Sequence, residues 1–534
     1  MRLPRPSRPS LLLLAPLLVG LITGLAGVSP ASASSPAWSS ADSHGHTSFF
    51  QIAGTVLSGV GEGHRAHSTL AAAHALENAQ HLLGDKKPDF VKDLKDKADD
   101  ATMALTNLFT HRDDLSTSDQ KVAARVLARP SGSSRMCNDA QKVCVHYSTS
   151  GSNKSTKAWA TKVLGVVSHV AKTYASSGYR RPVGDGTKGS HKNYVDIYLA
   201  DVAPQGYYGY CAPESGKYVA TAYCVLDNDY AASQYGTRHT PTENLEVTAA
   251  HEYFHAVQFA YDVNEDTWFM EATATWAEDQ IYTRINDNRQ YLPYGQLRKP
   301  RVPLDKDTTF GVYGNWIFFR YISEHLPAKK GALPSIMLQI WKKAAVSADR
   351  KHNKYSVAAI TSALAARKTS IKKIYAGFAT ANLHPKLSYK EGASTRYPVA
   401  KAAGSTTLKP AKKKASGYFN VQHLASATRR FKPHNLGTAW QLRLSAHLPK
   451  HRLGVAIVTV YKMHRTNTRY IKLNAKGNGH VRVDFDNAHV KKVELTLVNT
   501  AHGYKCHQGT AYACKGKPTT DTLKDTWSAK LVKS

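Results

Sequence analysis

The 22 residues from Pro241 to Asp262, PTENLEVTAAHEYFHAVQFAYD, contain no Gly and no Pro after the first position. Thr240 offers a hydroxyl N-cap, Pro241 suits the first helical position, and Glu243 completes a capping box. The stretch therefore predicts one capped, unbroken helix. On it His251 and His255 lie four residues apart and share a face, with Glu252 directly after the first.

Two imidazole nitrogens one turn apart can reach a single metal ion at roughly 2.0–2.1 Å. Glu252 points about 100° away around the helix. It is poorly placed as a third ligand beside those two, but it can hydrogen-bond a water held on the metal, which is why H-E-x-x-H carries a mechanism. The bland alternative is a core helix that happens to contain two histidines.

A two-histidine site needs a third protein ligand. Downstream, DTWFMEATATWAEDQIY reads as a second helix in which Trp268, Phe269 and Met270 lead into Glu271. A carboxylate entering an apolar helix needs a partner, because an unpaired buried charge is costly. Ala272 and Ala274 permit close packing against the histidine helix. Glu271 is the expected third ligand ahead of Glu278 and Glu265, and Glu278 suits a carboxylate acceptor for a ligand imidazole N–H.

H-E-x-x-H followed by a helix of the form E-[GA]-x-A-x-[WY] resembles the gluzincin class of zinc metallopeptidases. The order VHYSTSG, GYRRPVGDG, YVDIYLADV, YCVLDNDY, HEYFHAVQFAYD, WFMEATATWAED and a C-terminal β region is similar to a group of secreted bacterial metallopeptidases. The likeness runs from roughly residue 100 to 530 and is strongest between 140 and 330. It implies a zincin-like catalytic domain with Zn2+ held by His251, His255 and Glu271, and Glu252 as general base. The implied reaction is hydrolysis of a peptide bond in a protein or peptide substrate. Many gluzincins carry an acid four residues after the ligand Glu; here that position is Thr275. Tyr313, in TTFGVYGNWIFFRYI, is the candidate donor to the oxyanion, with a packing tyrosine as the alternative. The strand AYCVLDNDY is a candidate edge for an extended substrate. Its Asp227 and Asp229 suit a turn or, alternatively, a calcium ion.

The setting follows from the ends of the chain. Arg2, Arg5 and Arg8 precede an apolar run from Leu11 to about Ala26, and Ala31-Ser32-Ala33 closes it. This reads as a secretory signal peptide, residues 1–33. No later segment holds the roughly 18 uncharged apolar residues needed to span a bilayer, so a secreted, extracellular monomer without a membrane span is expected. Six cysteines fall as three close pairs, Cys137/Cys144, Cys211/Cys224 and Cys506/Cys514, for which three local disulfides are the simplest reading.

The remaining chain divides into 34–130, a polar leader and helical region that is either a propeptide or an integral wrap; 131–395, the catalytic region; 396–417, a linker rich in Ala, Gly, Ser, Pro and Lys; and 418–534, a basic β-sandwich. The expected class is α+β, a mixed sheet with an active-site helix and helical subdomain followed by an antiparallel sandwich. Net charge is +32, and residues 401–534 hold 25 Lys and Arg against 5 Asp and Glu. Such an excess favours polyanions such as anionic cell-surface polymers; no specific nucleic-acid motif is present. A rival reading thus makes the protein a non-catalytic extracellular binding protein that attaches through its basic C-terminal domain.

Overall fold

The computed structural model describes residues 60–83, 101–189, 191–346 and 354–534; the expected signal peptide and the polar stretch after it lie outside these. Three helices come first: α1 (Val60–Leu83), α2 (Ala101–His111) and α3 (Thr117–Val126). Helix α3 is capped at its start by the Ser116 hydroxyl, which accepts from the Asp119 amide. A five-stranded mixed sheet follows, built from β1 (Ser134–Asn138), β2 (Val143–Tyr147), β3 (Val195–Ala200), β4 (Gly209–Gly216) and β5 (Ala220–Asp227) in the order β1-β2-β3-β5-β4. Helix α4 (Lys157–Ser176) makes the crossover between the parallel strands β2 and β3.

The two faces of this sheet are covered by different parts of the chain. Because side chains alternate along a strand, Ile197, Leu199 and Leu226 face the main core with α4, while Tyr198, Tyr223 and Val225 face the other way and pack with Leu105 of α2. Strand β5 is buried along its whole length between β3 and β4. The reading of AYCVLDNDY as an edge strand is therefore corrected. The edge is β4, which runs antiparallel to β5 and is stapled to it by Cys211–Cys224.

After the one-turn α5 (Ala232–Tyr235) come the long helix α6 (Pro241–Phe259) and α7 (Thr267–Ile281). The capping box at Thr240 and Glu243 is formed in both directions. The apolar stretch FGVYGNWIFFRYISEHL forms two helices, α8 (Thr309–Gly314) and α9 (Trp316–His325). At the break Asn315 donates to the Leu304 carbonyl and accepts from the Gln296 amide, while a Cβ on Gly314 would meet the Gly295 backbone. Those tertiary contacts win over helix continuity. A short hairpin, β6 (Lys329–Lys330) and β7 (Leu333–Pro334), leads to α10 (Ser335–Ala344), α11 (Ser356–Ala366), α12 (Ile371–Ala381) and α13 (Pro385–Ser388). No helix among the described residues is long and apolar enough to cross a membrane.

The C-terminal region pairs β13 (Thr466–Tyr470), β12 (Gly454–Lys462), β15 (Val490–Asn499), β10 (Ala425–Pro433) and β8 (Gly404–Leu408) in one sheet. The other contains β14 (Asn478–Asp484), β11 (Trp440–His447), β18 (Thr522–Lys533) and β9 (Lys414–Gln422). A two-residue pair, β16 (Tyr504–Lys505) and β17 (Lys517–Pro518), lies beside the Cys506–Cys514 bridge. The inner faces of the two large sheets share a core of Leu442, Leu444, Val458, Leu495 and Trp527. Two expectations change here. The sandwich is antiparallel except that β8 runs parallel to β10, and the stretch 396–417 supplies β8 and the start of β9 instead of a linker. Thr406 and Leu408 are buried in the sheet, so the Lys- and Pro-rich residues between them and Lys414 form only a turn. The sandwich is also seated on the helices. Val455, Ile457 and Val498 join the main core, and the Leu424 carbonyl accepts from Leu304 N, Gln296 Nε2 and Tyr375 Oη.

Candidate metal centre

Helices α6 and α7 pack so that three donors meet in the core. His251 Nε2 lies 3.2 Å from Glu271 Oε2, and His255 Nε2 lies 3.4 Å from Glu271 Oε1. One ligand atom from each of the three lies within 4.8 Å of the others. Metal–ligand bonds of roughly 2.0–2.1 Å in a tetrahedral arrangement put neighbouring donors about 3.3 Å apart, close to the spacing of each imidazole from its nearer carboxylate oxygen. His255 and Glu271 are each 0% exposed, where a charge must be matched.

The hydrogen bonds behind the imidazoles set their orientation. Gln258 Nε2 donates to the Met270 carbonyl, which can only accept, so Gln258 Oε1 is the atom that faces His255 Nδ1 at 2.7 Å. His255 therefore carries a proton on Nδ1 and turns Nε2 toward the carboxylate. His251 Nδ1 lies 2.6 Å from Glu278 Oε1 in the same manner. His255 Nε2 and Glu271 Oε1 face each other at 3.4 Å, a spacing that a shared cation would suit, and an imidazole held by an outer carboxylate is a common feature of zinc ligation. Burial opposes charging His251, yet the Glu271 and Glu278 carboxylates outweigh it and hold the imidazole well above its usual pKa. Burial likewise pushes Glu278 up to about 7, against the pull of His251.

Each sequence candidate has a definite place. Glu278 takes the outer-acceptor role two turns beyond Glu271 on the same stripe of α7, and Thr275 is buried with its hydroxyl making no hydrogen bond. Glu265 is removed from the ligand set, because both its oxygens accept from the Ser356 amide. Asp227 accepts from the Asp229 and Tyr230 amides, as a turn residue does. Tyr313 of α8 sits beside the centre, its ring 6.1 Å from that of His251 and stacked on Tyr291 at 5.0 Å.

Two participants were not singled out from the sequence. Gln258, three residues after His255, could have been found from its helical spacing. Thr102 of α2 could not. Its hydroxyl donates to Glu252 Oε2 at 3.1 Å and accepts from the Cys211 amide at 3.0 Å. That amide belongs to the free edge of β4, so α2 lies along the rim of the sheet and closes over Glu252, which is 7% exposed.

No protein-family model matches the chain, and comparison with curated proteins finds no relative. Among solved structures, the chain is similar to the pre-peptidase C-terminal domain of a collagenase from Bacillus anthracis, at 9% identity over 25% of this chain and 97% of that one, TM-score 0.15. It is also similar to PliG of Salmonella Typhimurium, a periplasmic lysozyme inhibitor of g-type lysozyme, at 9% identity over 24% of this chain and all of that one, TM-score 0.15. Likenesses this slight carry no argument about function, which rests on the centre itself.

Proposed function

We propose that the protein is a secreted zinc-dependent peptidase of the gluzincin type, kept closed by α2. The observation that carries this reading is the pairing of a His251–His255–Glu271 donor set with Glu252, a carboxylate one residue from a ligand that a purely structural zinc site would not need.

A zinc ion held by these three residues supplies Lewis acidity toward water and the substrate carbonyl. Glu252 takes the proton from the attacking water and passes it to the leaving amine as the C–N bond breaks. Tyr313 donates a hydrogen bond to the oxygen of the tetrahedral carbon. Glu278 and Gln258 hold the two ligand imidazoles in register. The free edge of β4 receives the extended substrate, and the Cys211 amide is one of its donors. Thr102 occupies that donor and Glu252 together, so the substrate and α2 compete for one place.

The exit is short. Ser131, Gly132 and Ser133, between α3 and β1, are exposed, and a cut there separates α1–α3 from the sheet. The test is zinc content and peptide cleavage on the intact protein, on protein cut at 131–133, and on a cut Glu252→Gln variant. One zinc per chain is expected in all three, with activity appearing on cutting and falling about 10²–10⁴-fold in the variant. Absence of zinc after zinc-replete purification sinks the metalloenzyme. Equal activity in the variant removes Glu252 as the base. Equal activity before cutting and after cutting with dilution means that α2 does not close the site.

A further inference from the structure

The outward face of the four-stranded sheet β14-β11-β18-β9 carries a pattern visible only in its register. Arg443 of β11 pairs with Arg482 of β14 on one side and Lys530 of β18 on the other, and Lys530 pairs with Lys414 of β9. Their neighbours along each strand are more buried, which turns all four outward. With strands about 4.8 Å apart, four cations stand abreast over roughly 14 Å. Like charges directly opposite one another destabilise a sheet, and none of the four has an ion-pair partner among the described residues.

The next two rows are of a different kind. One residue pair further along, His480, Ser445, Ser528 and Ser416 stand abreast; beyond them come Asn478, His447, Thr526 and Tyr418. Neither row holds a carboxylate. Together they line a groove of about 650 Å³, beside which His447 Nδ1 and Trp527 Nε1 are buried with no hydrogen-bond partner. Tyr418 is 57% exposed, with the Lys524 ammonium 4.8 Å from its ring centroid.

We propose that this face binds an acidic polysaccharide. A polymer bearing carboxylates or sulfates answers the cation row by charge. Its hydroxyl-rich rings answer the adjoining rows of Ser, Thr, Asn and His, and Tyr418 offers an apolar ring face against which a sugar can lie. A polyanion without sugar rings needs only the first row. The proposal is independent of the zinc reading and deepens neither its substrate nor its mechanism.

The test uses the full chain and retention on immobilised polygalacturonate and on immobilised polyphosphate over a salt gradient. One variant removes three cations of the row, Lys414→Gln, Arg443→Gln and Lys530→Gln. A matched variant removes three exposed lysines from the other sheet's strands and turn, Lys409→Gln, Lys432→Gln and Lys491→Gln. The row variant should weaken binding to polygalacturonate by about tenfold or more and the matched variant by less than about twofold. Equal loss in both means bulk charge alone and overturns the site. A third variant, Tyr418→Ala, should weaken polygalacturonate binding severalfold and leave polyphosphate binding unchanged. If it weakens both alike, or neither, the glycan assignment falls. Failure of the parent to be retained on polygalacturonate ends the proposal outright.

Discussion

Two regions of this molecule handle charge in opposite ways. In the candidate metal centre the ionisable side chains are buried and held by close partners: His251 by Glu271 and Glu278, and His255 through its Nδ1 by Gln258. On the outer face of the sandwich four cations stand side by side and none is answered. The first arrangement is what burial demands, since an unmatched charge in the core costs several kcal/mol. The second is tolerated because water screens it, at a small cost in stability. Matched burial preorganises chemistry inside the molecule; unmatched exposure leaves a valence for something outside it.

Removing an answer inside should have the largest effect. Glu271→Ala leaves two imidazoles in a dry site without their anion; it should abolish zinc binding and lower stability by about 3–5 kcal/mol, read by metal analysis and chemical unfolding. If zinc still binds one to one, the donor set is wrong.

The sandwich contains one internal exception to the contrast. Asp525 of β18 points inward, is 0% exposed and has no partner for either oxygen. Burial pushes its carboxyl up to about 7. The folded state therefore holds this proton more tightly than the unfolded chain does, so this carboxyl's contribution to stability is greatest at low pH and is lost as pH rises from about 4 through about 7. A shift of this size corresponds to about 4 kcal/mol. Asp525→Asn should flatten that slope and be the more stable protein at pH 8; an unchanged pH profile would mean the carboxylate finds a partner.

A subtler change inside is Gln258→Ala, which leaves the ligands in place and frees the His255 ring. Zinc affinity should fall about 10–100-fold with the fold intact by circular dichroism. Undiminished affinity would show that α6 and α7 alone fix the imidazole. The smallest effect belongs to the outside. Arg443→Thr relieves two like-charge pairs and should raise stability by about 0.2–1 kcal/mol, a gain measurable by thermal unfolding. A loss would show the row to be structurally supported.

Legibility in the sequence follows the range of the interaction. The capped helix, both histidines, Glu271 and the Glu278 acceptor could be read because each depends on spacing within one helix or its successor. Thr102 could not, since 150 residues separate it from Glu252 and only the wrap of α2 around the sheet edge brings them together. The edge of the sheet is hidden for a related reason. AYCVLDNDY is a good strand by composition, but its place between β3 and β4 is a matter of topology. The 396–417 stretch has a linker's composition, yet Thr406 and Leu408 find a sheet to enter. The cation row was present in the sequence as charge and absent as a pattern, because cross-strand register is not written in any local run of residues.

All three disulfides are local, joining Cys137 to Cys144, Cys211 to Cys224 and Cys506 to Cys514. None spans the exposed residues 131–133. A single cut there turns the N-terminal helices from a covalent part of the fold into a separate ligand. Arg129, on the departing side, still grips Asp185, Asp196 and Glu214, so the fragment would leave as a tight binder does, slowly and with a dissociation constant. Its effective concentration at the site drops from the millimolar scale of a tether to the concentration of the protein itself. If α2 closes the site as proposed, opening becomes a matter of dilution: the cut protein would stay shut where it is crowded and open as it spreads.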